Sequence, residues 1–244
     1  MVARTFVIGD IHGAFRALTP LVDRLDLRPG DALVFLGDYV DGWSESAEVI
    51  EYLMDLARAY PCVFLKGNHD VWCEEWLEGA PTDVNWLLHG GIVTIESYAR
   101  LTKDRRKQHL AFFKSMPLYH VDALDRLFVH AGFTSQHGPE GEHFSATFTW
   151  DRTLWEMALA TDERLSPTSL KYPKRLSLFS EIFIGHTPTT NYSETEPMHA
   201  CNVWNMDTGA AFMGRLSVMN VDTKEFWQSE VVQRLYPGET GRNS

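Results

Sequence analysis

Asp10 and His12 stand two positions apart between Gly9 and Gly13, directly after the apolar run Thr5–Ile8. Side chains at i and i+2 past a strand end can converge on one cation, and flanking glycines let the backbone come close. The arrangement returns along the chain. Ala32–Leu36 leads into Gly37-Asp38, Cys62–Leu65 into Gly67-Asn68-His69-Asp70, and Leu127–Val129 into His130-Ala131-Gly132. Ile182–Ile184 then leads into Gly185-His186-Thr187, and Val203–Met206 into Asp207-Thr208-Gly209. A single Gly-Asp turn or a lone histidine in a glycine-rich turn is more often just a loop. It is the recurrence that carries a chemical reading. Asp38 can bridge two cations, Asn68 supplies a neutral oxygen, and His130 and His186 supply imidazole nitrogens. Oxygen and nitrogen donors without a thiolate suit two divalent ions such as Mn, Fe or Zn better than a cysteine-rich structural zinc site. Two such ions about 3.5–4 Å apart polarise phosphoryl oxygens and bring a water's pKa down towards about 7. The departing alkoxide then needs a proton. His69 is the natural donor, with Asp41 orienting its imidazole.

The apolar runs are rich in Val, Ile and Phe and are closed by Gly, which reads as buried strands. In layered α/β folds, sites gather at the C-terminal edge of such strands. Phe15, Leu18, Leu21, Val22 and Leu25 share one helical face, as do Val49, Ile50, Leu53, Met54 and Ala57. The chain therefore opens β-α-β-α-β, with parallel strands and helical crossovers. Phe212–Glu230 reads as an antiparallel meander turning at Asp222-Thr223-Lys224. Residues 134–180 carry Gly138, Pro139, Gly141, Pro167 and Pro173 around a helical piece near Thr153–Ala160. That stretch is expected to be an excursion over the rim of a single domain spanning residues 1–244. The tail after Pro237 is expected to fray.

Hydrophobic residues make up 44% and charged residues 23% of the chain, which argues against disorder. A net charge of −11 disfavours nucleic acid, because no basic surplus is available to release counterions. An acidic chain that handles phosphate needs cations in its site. Cys62, Cys73 and Cys201 have no paired spacing, so no disulfide framework is expected. With no signal peptide and no membrane span in view, a cytoplasmic location is the expectation. His89, His109, His120, His137, His143 and His199 fit no pattern and are assigned to the surface or rim. Trp72 and Trp76 stand at i and i+4, a core spacing. Lys103–Lys107 reads as a solvated helix face.

Gly9-Asp10-Ile11-His12-Gly13, Gly37-Asp38-Tyr39-Val40-Asp41-Gly42, Gly67-Asn68-His69-Asp70, His130-Ala131-Gly132 and Gly185-His186-Thr187 resemble the signature blocks of the phosphoprotein phosphatase family of metallophosphoesterases. His89-Gly90-Gly91 and Asp207-Thr208-Gly209 are similar to bacterial members, including phage-type Ser/Thr phosphatases and symmetrical diadenosine tetraphosphatases. The resemblance implies a metallophosphoesterase fold: an α/β sandwich of two mixed β-sheets flanked by helices. It implies that Asp10, His12 and Asp38 hold one metal, and that Asp38, Asn68, His130 and His186 hold the other. His69 and Asp41 would be the proton-donor pair. In the protein phosphatases an arginine follows the second Asp of the second block and grips the phosphate. Here Gly42 stands instead. Trp150-Asp151-Arg152 is similar to a Trp-x-Arg segment of phage-type members, so Arg152 is the expected phosphate contact, with Arg16 as a more distant candidate.

The function expected on these grounds is metal-dependent hydrolysis of phosphomonoesters, with Mn as the favoured metal and phosphoserine or phosphothreonine in a protein as the leading substrate. A small phosphate ester is the other substrate class considered, and no nucleic-acid or membrane partner is expected. The first alternative is symmetrical hydrolysis of a dinucleoside polyphosphate, with Lys171, Lys174 and Arg175 as rim contacts for the polyanion. The second is a catalytically inactive phosphate-binding module.

Overall fold

The computed structural model describes residues 3–243. Strands form where the apolar runs stand: β1 (Thr5–Ile8), β2 (Ala32–Phe35) and β3 (Cys62–Phe64) in the first half. In the second half are β4 (Tyr119–Val121), β5 (Arg126–Val129), β6 (Glu181–Ile184), β7 (Met198–Ala200), β8 (Val203–Asn205), β9 (Ser217–Asn220) and β10 (Phe226–Gln228). They build two five-stranded sheets, ordered β10-β9-β1-β2-β3 and β4-β5-β6-β8-β7. In the first sheet β1, β2 and β3 run parallel, while β9 pairs antiparallel with β1. In the second, β5, β6 and β8 run parallel, and β4 and β7 add antiparallel edges. Both sheets are therefore mixed. The parallel trio of each is the set of strands that ends in a chemistry-bearing turn.

Strand side chains alternate between faces, and here both faces are apolar because each sheet is covered twice. Val7, Val34, Leu36, Leu65, Phe128, Phe183, Met206 and Met219 form the layer between the sheets. Phe128 and Phe183 stack there with ring centroids 5.0 Å apart. Their strand neighbours point outward. Phe6, Ile8, Leu33 and Phe35 meet the helices outside the first sheet, and Leu127, Val129, Ile182 and Ile184 join the cluster outside the second.

The helices outside the first sheet are α1 (Phe15–Asp23), α2 (Ser46–Ala59), α3 (Asn68–Glu78), α4 (Val84–Trp86), α5 (Ile92–Tyr98) and α6 (Lys103–Lys114). On α2 the buried face runs Val49, Ile50, Leu53 and Leu56, whereas Ala57 is exposed and lies off the face expected from sequence. Residues 134–180 hold no strand, and their two helices, α7 (Thr147–Trp150) and α8 (Thr153–Ala160), pack through Phe148, Leu154 and Trp155 onto the second sheet. A last short helix, α9 (Val232–Leu235), contacts α1. Beyond it the described residues, up to Asn243, are tied back rather than frayed. Trp43 stacks on Tyr236 at 5.1 Å, Ser44 donates to Glu239, and the Arg242 amide donates to the Ala211 carbonyl at 2.9 Å. The sequence lacks an apolar pattern there because the order comes from long-range polar and stacking contacts.

Two smaller expectations also change. His109, assigned to the surface, is buried between Tyr98 Oη and Glu51, at 3.0 Å from each. In the basic run of α6, Arg105 pairs with Glu51 and the Arg106 guanidinium donates to the Tyr98 carbonyl, so that face is partly engaged.

Candidate metal centre

Each parallel strand hands its functional side chain to one shared edge through a tight turn. His12, Asp38, Asp41 and His186 all take left-handed backbone conformations, with φ of 53°, 53°, 72° and 67°. For residues other than glycine that region is sparsely populated and is kept only where the surroundings over-determine it. Asp70 provides much of that determination. Its buried carboxylate accepts from the backbone amides of Asp38 (2.8 Å), Tyr39 (3.0 Å) and Gly67 (2.8 Å), locking the second strand-end turn to the third. Gly37 allows the close fit, because a Cβ there would lie 2.8 Å from His130 Nδ1 and 2.7 Å from the Gly67 amide nitrogen.

The histidines are aimed by their own backbone contacts. His130 Nδ1 faces the Leu36 carbonyl at 2.8 Å and His12 Nδ1 the Val40 carbonyl at 3.2 Å, which turns each Nε2 towards the centre. Asp38 stands between them. Its Oδ1 accepts from the His69 amide at 3.0 Å, while Oδ2 lies 3.6 Å from His12 Nε2 and 3.4 Å from His130 Nε2. Asn68 Oδ1 is 3.2 Å from His130 Nε2, and the His130 and His186 rings are 5.0 Å apart. Asp10 is tied in through Oδ2, which accepts from the His186 amide at 3.0 Å. The structure thus brings Asp10, His12, Asp38, Asn68, His69, His130 and His186 to one place. His12, Asp38 and His69, and separately Asp38, His130 and His186, hold donor atoms close enough to share an ion.

The electrostatics fit a cation. Burial raises the Asp38 carboxyl to about 7, and burial raises Asp207 to about 7 as well. Asp10 is pushed up by burial first and then by the charges of Asp207 and Asp38. Burial lowers His12 and His186, and takes His130 down to about 4, which favours the neutral imidazoles that could serve a metal. Asp10 Oδ1 and His186 Nε2 are buried without any hydrogen-bond partner. Such orphans are costly, and divalent ions on either side of Asp38 would satisfy them. Asp207 stands at a strand end with no role assigned from its motif; the structure sets it as a further buried carboxylate beside Asp10.

Asp41 lies behind His69. His69 Nδ1 faces Asp41 Oδ2 at 2.6 Å, and that carboxylate also accepts from Trp86 Nε1 and Thr94 Oγ1, both at 2.7 Å. Burial, the largest influence, raises Asp41 and lowers His69, while the Thr94 and Trp86 hydrogen bonds oppose the shift at Asp41. The His69 ring is fixed edge-on to His12 at 4.9 Å.

The mouth of the cleft is lined by Trp72, His89, Trp150, Arg152 and Arg242 around Asp38, Asn68, His69 and His186. Trp72 and Trp150 meet edge to face at 5.1 Å, and Trp150 lies 6.0 Å from the His186 ring. Arg152 is exposed at this mouth, where the Asp151 carboxylate ties the turn to the amides of Thr153 and Leu154 at 3.0 Å each. Trp72, whose spacing from Trp76 predicts a core residue, lines the cleft instead, and His89, assigned to the surface or rim, lines its mouth. The i, i+3 spacing of His69 and Trp72 on α3 was the available signal. Arg16 is elsewhere, over the Tyr236 ring at 4.7 Å and donating to the Leu235 carbonyl at 3.0 Å. Arg175 is spent on the Phe133 carbonyl at 2.6 Å, and Lys171, Lys174 and Arg175 are all absent from the cleft lining.

A profile of the calcineurin-like phosphoesterases matches residues 3–213. The chain belongs to this family of hydrolases. Calcineurin-like phosphoesterases use a dinuclear metal centre, in keeping with the His and Asp groups gathered here. Among curated relatives, the asymmetrical bis(5'-nucleosyl)-tetraphosphatase PrpE of Halalkalibacterium halodurans is 26% identical over 90% of this chain and 91% of its own length. That of Anoxybacillus flavithermus is 27% identical, over 90% of this chain and 91% of its own length. A protein serine/threonine phosphatase from Saccharomyces cerevisiae with similarity to human phosphatase PP5 shares the fold, with a TM-score of 0.65 at 16% identity over 99% of this chain and 84% of its own.

A centre that leaves buried donors unsatisfied should be stabilised by metal. At about 100-fold excess over Kd, a bound ion adds about 2.7 kcal/mol to folding stability. For a chain of this size that corresponds to a rise in melting temperature of roughly 5–10 °C. Calorimetry of the metal-stripped protein with and without Mn checks this, and coincident melting curves would contradict the assignment.

Proposed function

We propose that this chain hydrolyses dinucleoside tetraphosphates, using a two-metal centre held by Asp10, His12, Asp38, Asn68, His130 and His186. The observation that carries the substrate class is the lining of the cleft mouth. Two guanidiniums, Arg152 and Arg242, stand beside exposed aromatic surface from Trp72, Trp150 and His89. Guanidiniums match phosphate oxygens in pairs, and aromatic faces stack bases at about 1–3 kcal/mol each. A phosphorylated serine or threonine offers no base to use that surface. The relatives named as asymmetrical tetraphosphatases along nearly their whole length support the same reading. It moves the dinucleotide ahead of the phosphopeptide, which the sequence motifs alone had favoured.

When bound, the metal ions supply Lewis acidity at the phosphoryl oxygens and an acidified water. Asp38, whose Oδ2 lies between His12 and His130, would be shared by both ions. Asp10 and His12 complete one side, and Asn68, His130 and His186 the other. The Asp41–His69 pair together holds two protons, one presented on Nε2 for the leaving oxygen and one shared between Nδ1 and Asp41 Oδ2, so that Nδ1 keeps its proton once the Nε2 proton has left. Asp41, held by Trp86 and Thr94, keeps that ring in one tautomer and orientation. Arg152 contacts the phosphate chain from the rim.

Initial rates on diadenosine tetraphosphate and on a phosphothreonine peptide, both with Mn, test the substrate class. The expected result is preferential cleavage of the dinucleotide into ATP and AMP. Formation of ADP alone would indicate symmetrical cleavage, and release of phosphate from the peptide alone would overturn the proposal. His69→Asn should lower kcat by about 10²–10⁴ with little change in KM, and a near-normal kcat would remove the proton-donor role.

A further inference from the structure

Position 42 is glycine, and its backbone explains why a long side chain is absent. Gly42 has φ of 102°, a conformation that L side chains rarely adopt. A Cβ placed there would lie 3.5 Å from Cγ of Arg242 and 3.4 Å from the His12 carbonyl oxygen. The stem of Arg242 therefore packs against Gly42 at ordinary contact distance, while the positive φ disfavours a side chain there. From that place Arg242 lines the cleft together with Asp38, Asn68, His69 and His186.

The segment that delivers Arg242 is anchored at several points. Tyr236 Oη accepts from the Arg16 amide at 3.0 Å, and its ring stacks on Trp43. Ser44, two residues past Gly42, donates to Glu239 through its amide (3.0 Å) and hydroxyl (2.7 Å). The Arg242 amide donates to the Ala211 carbonyl at 2.9 Å, and its guanidinium lies 5.2 Å over the Phe212 ring. Among the described residues Arg242 makes no ion pair, unlike Arg16 with Glu45, Arg126 with Asp122 and Arg175 with Asp151. A half-buried guanidinium held at the mouth of an anion-handling cleft, near enough for its charge to favour ionised Asp38, Asp41 and Asp207 but in no ion pair with them, is available to an incoming oxyanion.

We propose that Arg242 is a phosphate-binding arginine of this site, supplied by the C-terminal segment in place of a side chain at position 42. The inference rests on the family's phosphoester chemistry and is independent of whether the natural substrate is a dinucleotide. Its role is to hold the phosphoryl oxygens opposite Arg152, so its loss should weaken binding of any phosphate ester.

The full-length, Mn-loaded protein is compared with Arg242→Ala and Arg242→Lys. Three quantities are read: bound metal, competitive inhibition by inorganic phosphate, and kcat and KM for p-nitrophenyl phosphate. Arg242→Ala should keep its metal and raise the phosphate inhibition constant and KM by about tenfold to a hundredfold, the loss of one charge-assisted contact. Arg242→Lys should recover part of that loss, since a point charge lacks the planar fork. Guanidinium ion added to Arg242→Ala should restore turnover. Unchanged phosphate affinity in Arg242→Ala would overturn the proposal, as would a loss that tracks lost metal or that guanidinium fails to rescue. If Arg242→Ala does not fold, Arg242→Lys decides: wild-type phosphate affinity there would exclude a forked contact. Failure to cleave a dinucleotide would leave all of these readings intact.

Discussion

Asp10, Asp38, Asp41 and Asp207 are each at most 2% exposed and lie close enough to feel one another's charge. Burying one ionised carboxylate without compensation is costly, and burying several together is more so. The chain compensates in part with its own donors. Asp41 takes three side-chain partners, Asp38 takes the His69 amide, Asp207 the Gly209 amide and Asp10 the His186 amide. Asp10 Oδ1 is left without a partner, and Asp38 Oδ2 lies 3.6 and 3.4 Å from the Nε2 atoms of His12 and His130. Divalent cations would complete such an arrangement. The rest of the fold can be understood as the apparatus that makes it affordable: two sheets with a shared apolar layer, parallel trios ending at one edge, and an Asp70 carboxylate that ties the left-handed Asp38 turn to Gly67.

Most of that apparatus was legible in the sequence for a definite reason. Strands covered on both faces read as unbroken apolar runs, so β1, β2, β5 and β6 could be located from Val, Ile, Leu and Phe alone, and the Gly after each run marked its functional turn. The edge strands β4 and β7 were not legible. Tyr119–Val121 and Met198–Ala200 each bring three residues, a histidine in the middle and no apolar run, because an edge strand is half solvated. Asp207 fitted the strand-end pattern, but a bare Asp-Thr-Gly turn does not say what its carboxylate meets. Trp72 shows the opposite failure. Its spacing from Trp76 suggested core, yet α3 begins at the metal site itself, so its first-turn residues face the cleft.

The C-terminal segment was misjudged because its information is not local. Pro237 to Asn243 has no apolar periodicity, and contacts with Ser44, Ala211, Phe212 and Gln233 order it. The absence of an arginine at position 42 was visible as a gap in a motif. What fills the space could be seen only once the chain ends were brought together. The same long-range closure reconciles the overall charge of −11 with an anionic substrate, since Arg152 and Arg242 concentrate positive charge at the one mouth where it is needed.

The central claim is that these strand ends form a dinuclear centre bridged by Asp38. Metal analysis combined with electron paramagnetic resonance of the Mn-loaded protein tests it most directly. The account predicts about two Mn ions per chain with an exchange-coupled spectrum, as expected for ions about 3.5–4 Å apart, and loss of that coupling in Asp38→Asn. A single uncoupled Mn signal at saturation would contradict it.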